Sequence, residues 1–364
     1  MRIALLGAGH IGQTIARLLA ATGDYTVTVA DCNAAALARI HGNGITTRVV
    51  DTDDRAALGA VLAGHDTVVN ALPYHLAIPT AQAARAAGCH YFDLTEDVAA
   101  TKAIQALAAG APTAFMPQCG LAPGFIGIVA HHLAQGFEAL HDVKMRVGAL
   151  PAFPTNALKY NLTWSVDGLI NEYCHPCEAI VDGQAIDVLP LEGLEHFSLD
   201  GTEYEAFNTS GGLGTLCETL KGRVRSLDYK SVRYPGHQAL MKMLLEDLRL
   251  KDDQGTLKDI LRKSVPATMQ DVVLVFVTVS GLRDGALVQE VFARKIFADR
   301  NEANPLSAIQ ITTAAGICSA VDLFRAGRLP RSGFIRQEQI ALPDFLANRF
   351  GAAYQQSRQV ESIA

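Results

Sequence analysis

The feature that most constrains the fold is a glycine-rich turn near the N-terminus, Gly7-Ala8-Gly9-His10-Ile11-Gly12. It follows a short apolar run, Arg2–Leu6, and opens a stretch with helical periodicity, Gly12–Ala21. In that context the first glycine permits a tight turn, the second lets a pyrophosphate approach the backbone, and the third lets helix and strand pack closely. The turn therefore predicts the opening unit of a dinucleotide-binding domain. The predicted cofactor contacts here are Gly7, Gly9, His10, Ile11 and Gly12.

An acidic residue follows at the spacing that this kind of domain requires. Asp31 ends the second apolar run, nineteen residues after Gly12. A carboxylate at this point can accept hydrogen bonds from the ribose hydroxyls of NAD, and it would repel the 2′-phosphate of NADP. Residues 32–36 contain no arginine that could bind such a phosphate. We therefore predict NAD as the cofactor.

The first third of the chain alternates strands with Ala-rich helices, which is typical of βαβ units in a parallel sheet. The sequence predicts an α/β fold in which residues 1–122 form an N-terminal Rossmann domain, a doubly wound parallel sheet. The predicted strands are Arg2–Leu6, Thr26–Ala30, Thr46–Val50, Thr67–Asn70, His90–Asp93 and Thr113–Met116. The predicted helices are Gly12–Ala21, Ala34–Ile40, Arg55–Leu62, Ile78–Ala87 and Val98–Ala108.

The alternation weakens beyond Gly124. Strands are predicted at Val143–Val147, Ala179–Val181, Val272–Ser280 and Ala286–Phe297, and Ala149–Pro154 is predicted to be a loop. Residues 123–305 should then form an α+β C-terminal domain with a mostly antiparallel sheet. Residues 306–364 should form a last helix, Ser307–Arg325, and a tail.

Ligands bind beyond the carboxyl ends of the strands in parallel sheets. Residues at these strand ends are therefore further candidates for the cofactor: Asp51, Ala71, Leu72, Pro73 and Thr95. Asp93 ends the fifth strand and could manage a proton. Tyr74 and Cys119, which follow two strand ends, are candidates for substrate contacts. For each strand-end residue, a role in the local turn is an equally good interpretation.

Several segments of the second half combine glycine with polar groups. The turn around Thr209, Ser210, Gly211 and Gly212 could bind a carboxylate through its backbone N–H groups, or it could be a flexible loop. Arg233 could clamp the same carboxylate, or form a surface ion pair. His237 could exchange a proton near neutral pH, or pack locally at a helix start. Segments 160–165 and 168–173 share this composition, without an assigned role.

Composition excludes several other classes of function. The 364 residues carry a formal charge of −6 and no basic cluster, so we expect no nucleic-acid partner. No apolar run could span a membrane, and the N-terminus looks like a strand and not a signal peptide, so we expect a cytoplasmic protein. The seven cysteines are expected to be free thiols. Cys174 and Cys177 lack a second ligand pair, so no metal site is predicted.

Four segments together resemble the saccharopine dehydrogenase-like family, with L-lysine 6-dehydrogenase as the most similar branch. They are the turn at Gly7–Gly12, the segment Cys119–Gly124, the run Glu205–Leu216 and the run Tyr229–His237. The resemblance implies a Rossmann domain, a C-terminal domain with substrate contacts and a dimer interface, and a last helix that returns to the first domain. Saccharopine-forming relatives carry Gly-Leu-Asp-Pro-Gly, where this chain has Ala122, so saccharopine chemistry is the weaker expectation.

The resemblance implies an NAD-dependent homodimer that oxidises the terminal carbon–nitrogen bond of lysine or a similar diamino acid. The expected catalytic residues are His237, Asp93 and Arg233. The expected substrate contacts are Tyr74, Cys119, Thr209, Ser210, Gly211, Gly212 and Arg233. Two alternatives remain open. One is a saccharopine- or opine-type reductase that joins an amino acid to an oxo acid, and the other is an NAD(H)-binding redox sensor without catalysis.

Overall fold

The structure, a computed structural model, describes residues 1–162, 165–299 and 305–355. The chain divides into two compact units. The first comprises Met1–Ile128 and Thr312–Ala353, and the second is built on Val129–Ile311. The predicted tail beyond residue 355 lies outside the described residues.

The first unit opens with alternating strands and helices. Its strands are β1 (Arg2–Leu6), β2 (Thr26–Asp31), β3 (Ile45–Val49), β4 (Thr67–Asn70), β5 (His90–Asp93) and β6 (Ala114–Met116). Its helices are α1 (His10–Ala20), α2 (Ala34–Leu37), α3 (Arg55–Leu62), α4 (Ala77–Ala87) and α5 (Val98–Ala108), and α6 (Phe125–Ala134) begins in this unit. The strands pair in parallel in the order β6-β5-β4-β1-β2-β3. This arrangement confirms the predicted doubly wound parallel sheet.

The middle residues of the central strands of this sheet are apolar on both faces, because helices cover both sides of the sheet. Residues Ile3–Leu6 of β1 are fully buried, and so are Val68 and Val69 of β4. Ala81, Ala84 and Ile104 of the covering helices pack into the same core. Small alanine side chains let these helices approach the sheet closely, which explains the Ala-rich composition of this part of the chain.

The second unit contains a mixed, mostly antiparallel sheet, which also confirms the prediction. Its strands are β7 (Ala139–Pro151), β8 (Cys177–Val181), β9 (Gln184–Val188), β10 (Glu195–Leu199), β11 (Thr202–Asn208), β12 (Val224–Arg233), β13 (Asp271–Arg283) and β14 (Ala286–Phe297). The main path runs β10-β11-β12-β7-β13-β14. Of these contacts, β12 with β7 is parallel. The helices of this unit are α7 (Val166–Cys174), α8 (Leu216–Leu220), α9 (His237–Lys242) and α10 (Gln254–Ser264).

One predicted loop is wrong in its first half. We expected Ala149–Pro154 to be irregular because it contains two prolines, but β7 continues to Pro151. Ala149, Leu150 and Pro151 pair with Val273, Val272 and Asp271 of β13. The long β-branched run of β13 therefore extends its partner beyond the point at which local signals would end it.

The last part of the chain returns to the first unit, as predicted. Helix α11 (Ala308–Arg325) begins after Ser307, which exchanges hydrogen bonds with Gln310 in the manner of a capping box. The stretch Thr312–Ala353 belongs to the first unit. There β15 (Gly333–Phe334) adds a parallel edge strand to β6, and α12 (Leu342–Ala347) follows. The side chains of Tyr25 and Asp322 are joined by a hydrogen bond of 2.5 Å.

Candidate functional site

The glycine turn of the first unit is built to bring β1 and α1 together. Gly7 has a φ of +103°, which favours glycine, and a Cβ there would lie 2.7 Å from the Ala71 carbonyl oxygen. A Cβ on Gly12 would overlap the Gly7 carbonyl oxygen. By contrast, no atom lies within 4 Å of where a Cβ on Gly9 would be. Gly7 and Gly12 are thus required by packing, whereas the space at Gly9 is open.

The N-terminus of α1 receives no side-chain cap and has no acidic residue in its first turn. Its cap position is Gly9, and the first helical residues are His10 and Ile11. Helix N-termini carry outward-facing N–H groups and a partial positive charge, so this terminus suits a phosphate group. An 11-residue helix that starts at an uncapped glycine turn therefore fits the pyrophosphate of a dinucleotide.

Asp31 lies beside the same turn, at the end of β2. Its carboxylate accepts hydrogen bonds from the Ala8 N–H at 2.6 Å and from the Asn33 N–H at 2.7 Å. These contacts fix the carboxylate next to the phosphate-binding turn, where a ribose hydroxyl would need an acceptor. Asp51 lies after the edge strand β3 and is exposed, and its carboxylate accepts the Asp53 N–H at 3.0 Å.

Two further strand ends are organised by one buried polar network. Asn70, at the end of β4, accepts the Leu72 N–H and donates to the Tyr91 hydroxyl. Tyr91 in turn donates to Asp93 at 2.8 Å. The network holds the segment Ala71-Leu72-Pro73, which leads into Tyr74, in a fixed conformation after β4.

Asp93 is 1% exposed, and its remaining hydrogen bonds come from the backbone N–H groups of Thr95 and Gln118. Burial raises the pKa of Asp93 to about 6, although these hydrogen bonds oppose the rise. Nearby Cys119 is also buried, and burial raises the pKa of its thiol well above the ordinary value. Its sulfur accepts a hydrogen bond from Gln337 at 3.1 Å, which makes this thiol an inert packing group.

The second unit contains a buried polar cluster, which we call the arginine cluster. Strand β12 contributes Ser231 and Arg233, α7 contributes Glu172 and Tyr173, and α9 contributes His237. All five side chains are less than 9% exposed. Burial of this many polar groups costs free energy unless they are hydrogen-bonded. A buried polar cluster of this size is therefore a candidate functional site.

Arg233 is the cation of the cluster. It is 3% exposed, and it donates to the Tyr173 hydroxyl at 2.9 Å and to the Val232 carbonyl at 2.8 Å. Its guanidinium also lies 5.1 Å from the centre of the Tyr160 ring. Burial lowers the pKa of Arg233, but the oxygens of Tyr173, Tyr160 and Glu172 raise it by more, so the group stays charged. Among the described residues it forms no ion pair.

His237 has both ring nitrogens engaged. Nδ1 lies 2.9 Å from the Leu158 carbonyl oxygen, and Nε2 lies 3.1 Å from the Tyr173 hydroxyl. A carbonyl can only accept, so Nδ1 carries the proton and Nε2 of the neutral ring accepts from Tyr173. Burial and the nearby Arg233 lower the pKa of His237 to about 3. The ring therefore stays neutral and orients Tyr173, which accepts from Arg233.

Glu172 is the anion of the cluster. It accepts a hydrogen bond from the Ser231 hydroxyl at 3.2 Å, and that hydroxyl lies 2.8 Å from the hydroxyl of Thr209. Burial raises the pKa of Glu172 to about 7, even though Arg233 and Ser231 act in the opposite direction. A buried carboxyl that titrates near neutral pH is typical of functional sites.

The turn after β11 packs against this cluster. The Ser210 N–H donates to the Glu172 carbonyl oxygen at 2.9 Å, and the Ser210 hydroxyl donates to Pro176. Gly211 has a φ of +87°, and a Cβ on Gly212 would overlap the Tyr229 ring. The glycines thus allow the turn to lie directly on β12 beside the arginine cluster.

Comparison with known families accounts for both units. The profile described as saccharopine dehydrogenase NADP binding domain matches residues 3–115. The profile described as saccharopine dehydrogenase C-terminal domain matches residues 120–350, more than half of the chain. The chain belongs to the saccharopine dehydrogenase family. This confirms the resemblance drawn from the motifs, while the closeness to L-lysine 6-dehydrogenase stays a prediction.

Two relatives within the saccharopine dehydrogenase family are similar to this chain. The saccharopine dehydrogenase (NADP(+), L-glutamate-forming) of Saccharomyces cerevisiae is 27% identical over 269 residues, which cover 69% of this chain and 59% of that protein. The matched segment thus spans less than two thirds of the relative. A solved apo saccharopine dehydrogenase (L-Glu forming) from the same yeast superposes with a TM-score of 0.78 at 18% identity, covering 94% and 96% of the two chains. That likeness concerns the fold.

Several predicted residues of this family member come together. Thr209, Ser210, Arg233 and His237 lie in or against the arginine cluster, and the glycine turn lies beside Asp31. Sequence reasoning gave no role to Glu172, Tyr173 or Ser231. A signal was present, because Glu172 and Tyr173 belong to the polar segment 168–173 that the sequence analysis had singled out. Residues 163 and 164 of the other polar segment lie outside the described residues.

Two kinds of feature are absent from the described residues. They contain no group of three or more His, Cys, Asp or Glu side chains that could hold a metal ion. Their helices include none that is long and apolar enough to cross a membrane. The homodimer and the cytoplasmic location stay predictions.

Proposed function

We propose that this protein is an NAD-dependent oxidoreductase that oxidises a carbon–nitrogen bond of an amino acid. The observation that carries the proposal is Arg233, a buried guanidinium that forms no ion pair with any described residue. A buried cation is costly without a counter-charge, and a carboxylate is the anion that its planar fork fits best. Arg233 would therefore bind the carboxylate of the substrate.

The first unit fits a dinucleotide. The space beside Gly9 is open, the N-terminus of α1 has no side-chain cap, and Asp31 is held beside the glycine turn. Gly7, Gly9, His10, Ile11 and Gly12 would hold the pyrophosphate, and Asp31 the adenosine ribose. A dinucleotide held there would supply the hydride acceptor for oxidation of the substrate carbon that carries the nitrogen. Ala71, Leu72, Pro73 and Thr95 would line the strand ends around the cofactor.

We further propose NAD in preference to NADP. The support is the carboxylate of Asp31, which a 2′-phosphate would approach with like charge, and the lack of arginine in residues 32–36. Titration of the protein with NADH and NADPH, followed by nucleotide fluorescence, tests this. We expect NADH to bind at least about tenfold more tightly, since like-charge contact costs about 1.4 kcal/mol or more. Equal affinities would contradict it.

In this proposal, His237 and Asp93 position other groups and do not react themselves. His237 is neutral and holds the Tyr173 hydroxyl, which in turn orients Arg233. Asp93 fixes the strand-end segments at Thr95 and Gln118 through their N–H groups. This revises the sequence-based expectation that both residues handle protons, because the hydrogen bonds of each are satisfied within the protein.

Lysine or a similar diamino acid is the proposed substrate, and its terminal amine would be lost. The motif similarity to L-lysine 6-dehydrogenase supports this, as does Ala122 in place of the aspartate of saccharopine-forming relatives. The purified protein with NAD should produce NADH from L-lysine without any oxo acid. A panel of amino acids and diamines, monitored at the NADH absorbance, tests the proposal. No NADH from any amine would overturn it.

A second candidate is the reversible joining of an amino acid and an oxo acid through an imine. It is favoured by the 27% identity to a saccharopine dehydrogenase. Oxidation of NADH that requires both an amino acid and an oxo acid would support this reading.

Light scattering of the same preparation would test the proposed homodimer.

A further inference from the structure

Two opposite charges share the arginine cluster without touching. Glu172 and Arg233 are both less than 9% exposed, yet they form no ion pair with each other. Glu172 is held by Ser231, and Arg233 is held by Tyr173. Ser231 and Arg233 are alternate residues of β12, so their side chains leave the same face about 6.6 Å apart along the strand. The cluster therefore holds an acidic group and a cation near each other without direct contact between them.

The separation of these two buried groups is energetically unfavourable when no ligand is bound between them. Buried charges gain most when they contact each other directly, and each separated charge keeps part of its desolvation cost. A ligand that carries one charge of each sign can satisfy both groups at once. The head of an α-amino acid does so, because its carboxylate and its ammonium are attached to one carbon and its net charge is zero.

Two neighbouring amides support the presence of a ligand. The side-chain oxygens of Asn161 and Asn171 are buried and have no hydrogen-bond partner in the described structure. Asn161 follows Tyr160, whose ring contacts Arg233, and Asn171 precedes Glu172. Buried polar atoms in native proteins are nearly always hydrogen-bonded, so these acceptors indicate donors that the described residues do not supply.

We propose that Glu172, held by Ser231 and Thr209, binds the α-ammonium group of a substrate whose α-carboxylate is bound by Arg233. The site then selects α-amino acids over plain carboxylates and plain amines. The inference rests on the proposed function, and it adds the residue that recognises the α-amine. The reacting amine of a diamino acid lies several bonds from this head, so Glu172 is a binding residue and does not touch the reacting carbon.

Binding measurements test the inference independently of turnover. L-Lysine and 6-aminohexanoate differ only in the α-amine, and both keep the carboxylate and the terminal amine. With NADH present, calorimetric titration should show that the wild-type protein binds L-lysine at least about 30-fold more tightly, as expected for a charge-assisted contact. In Glu172→Gln this preference should fall to about threefold or less, with the affinity for 6-aminohexanoate nearly unchanged.

Two further variants separate recognition from folding. Glu203→Gln removes an exposed carboxylate of the same unit and should leave both affinities unchanged. Glu172→Asp keeps the charge on a shorter side chain and should retain an intermediate preference. Thermal melting of each variant reports whether the fold is intact.

The outcomes distinguish the two proposals. Equal binding of both ligands by the wild type, or an equal loss of both in Glu172→Gln, overturns the role of Glu172 even if lysine is oxidised. A Glu172-dependent preference for L-lysine without NADH production supports the role of Glu172 and overturns the proposed oxidation. Absence of binding by either ligand overturns both.

Discussion

The two candidate sites of this protein are built on different principles. The site of the first unit consists mainly of backbone: a glycine turn, a helix N-terminus and a carboxylate held by N–H groups. The site of the second unit consists of side chains from α7, β12 and α9, and its residues are separated by up to 65 positions. The first can be read from a local motif, whereas the second exists only once distant segments have packed together.

The two sites should therefore be sensitive to different kinds of substitution. A backbone site depends on the absence of side chains, so it is destroyed by adding atoms. A side-chain cluster depends on charge and on hydrogen-bond direction, so it is damaged by removing atoms.

The largest effect is expected at Gly12. Gly12→Ala should abolish dinucleotide binding and destabilise the protein by about 3 kcal/mol or more, because the added Cβ overlaps the Gly7 carbonyl oxygen. Thermal melting and NADH titration measure this. The matched control is Gly9→Ala, which has room for a Cβ and should keep its stability within about 0.5 kcal/mol while weakening NADH binding. Similar stability of Gly12→Ala and Gly9→Ala would show that the close contact between Gly12 and Gly7 is not required for the turn to fold.

Arg233→Ala should raise KM for the amino-acid substrate by about 150-fold, since removal of a charge-assisted contact costs about 3 kcal/mol. Its affinity for NADH should stay within about twofold of the wild type, because the dinucleotide would bind in the first unit. Steady-state kinetics and nucleotide titration measure the two effects. An unchanged KM would remove Arg233 from the substrate site.

Asp93→Asn tests the buried network of the first unit. Because the folded pKa of Asp93 is about 6, above its ordinary value, the protonated form is favoured on folding. The wild type should therefore lose stability as pH rises from about 4 through about 6, whereas the neutral asparagine should not. We expect the free energy of unfolding of the variant to improve relative to wild type by roughly 2–3 kcal/mol between pH 4 and pH 8.

Denaturant titrations at the two pH values measure this difference. If Asp93 only positions its neighbours, kcat should fall by less than about tenfold in Asp93→Asn. A loss of more than about a thousandfold, without loss of stability, would instead identify Asp93 as the proton acceptor.

The smallest effect is expected for Tyr173→Phe, which removes the hydroxyl between Arg233 and His237. The guanidinium keeps its charge and its bond to Val232, so KM should rise only about five- to tenfold, corresponding to about 1 kcal/mol. Tyr204→Phe serves as the control, since it removes a tyrosine hydroxyl of the same unit outside the arginine cluster. A larger effect in the control would show that Tyr173 is not the orienting group.

Much of the fold could be predicted because its signals are local. The turn at Gly7–Gly12, the apolar runs of β1 and β4 and the Ala-rich helices each repeat at the period of their own element. Prediction failed where pairing with a distant strand determines the local structure. Pro151 ends a strand because β13 pairs with it, and the exposed strand β9 has little apolar alternation to reveal it.

The amino-acid sequence by itself determined the dinucleotide unit, because a backbone site needs only glycines and one carboxylate at fixed spacing. It also identified the Arg233 and Thr209 segments as unusual. Only the tertiary structure decided what those segments do. Packing of α7 and α9 against β12 keeps His237 neutral, holds Glu172 apart from Arg233 and removes both side chains from water. These effects depend on burial and on the direction of hydrogen bonds, which local sequence patterns do not reveal.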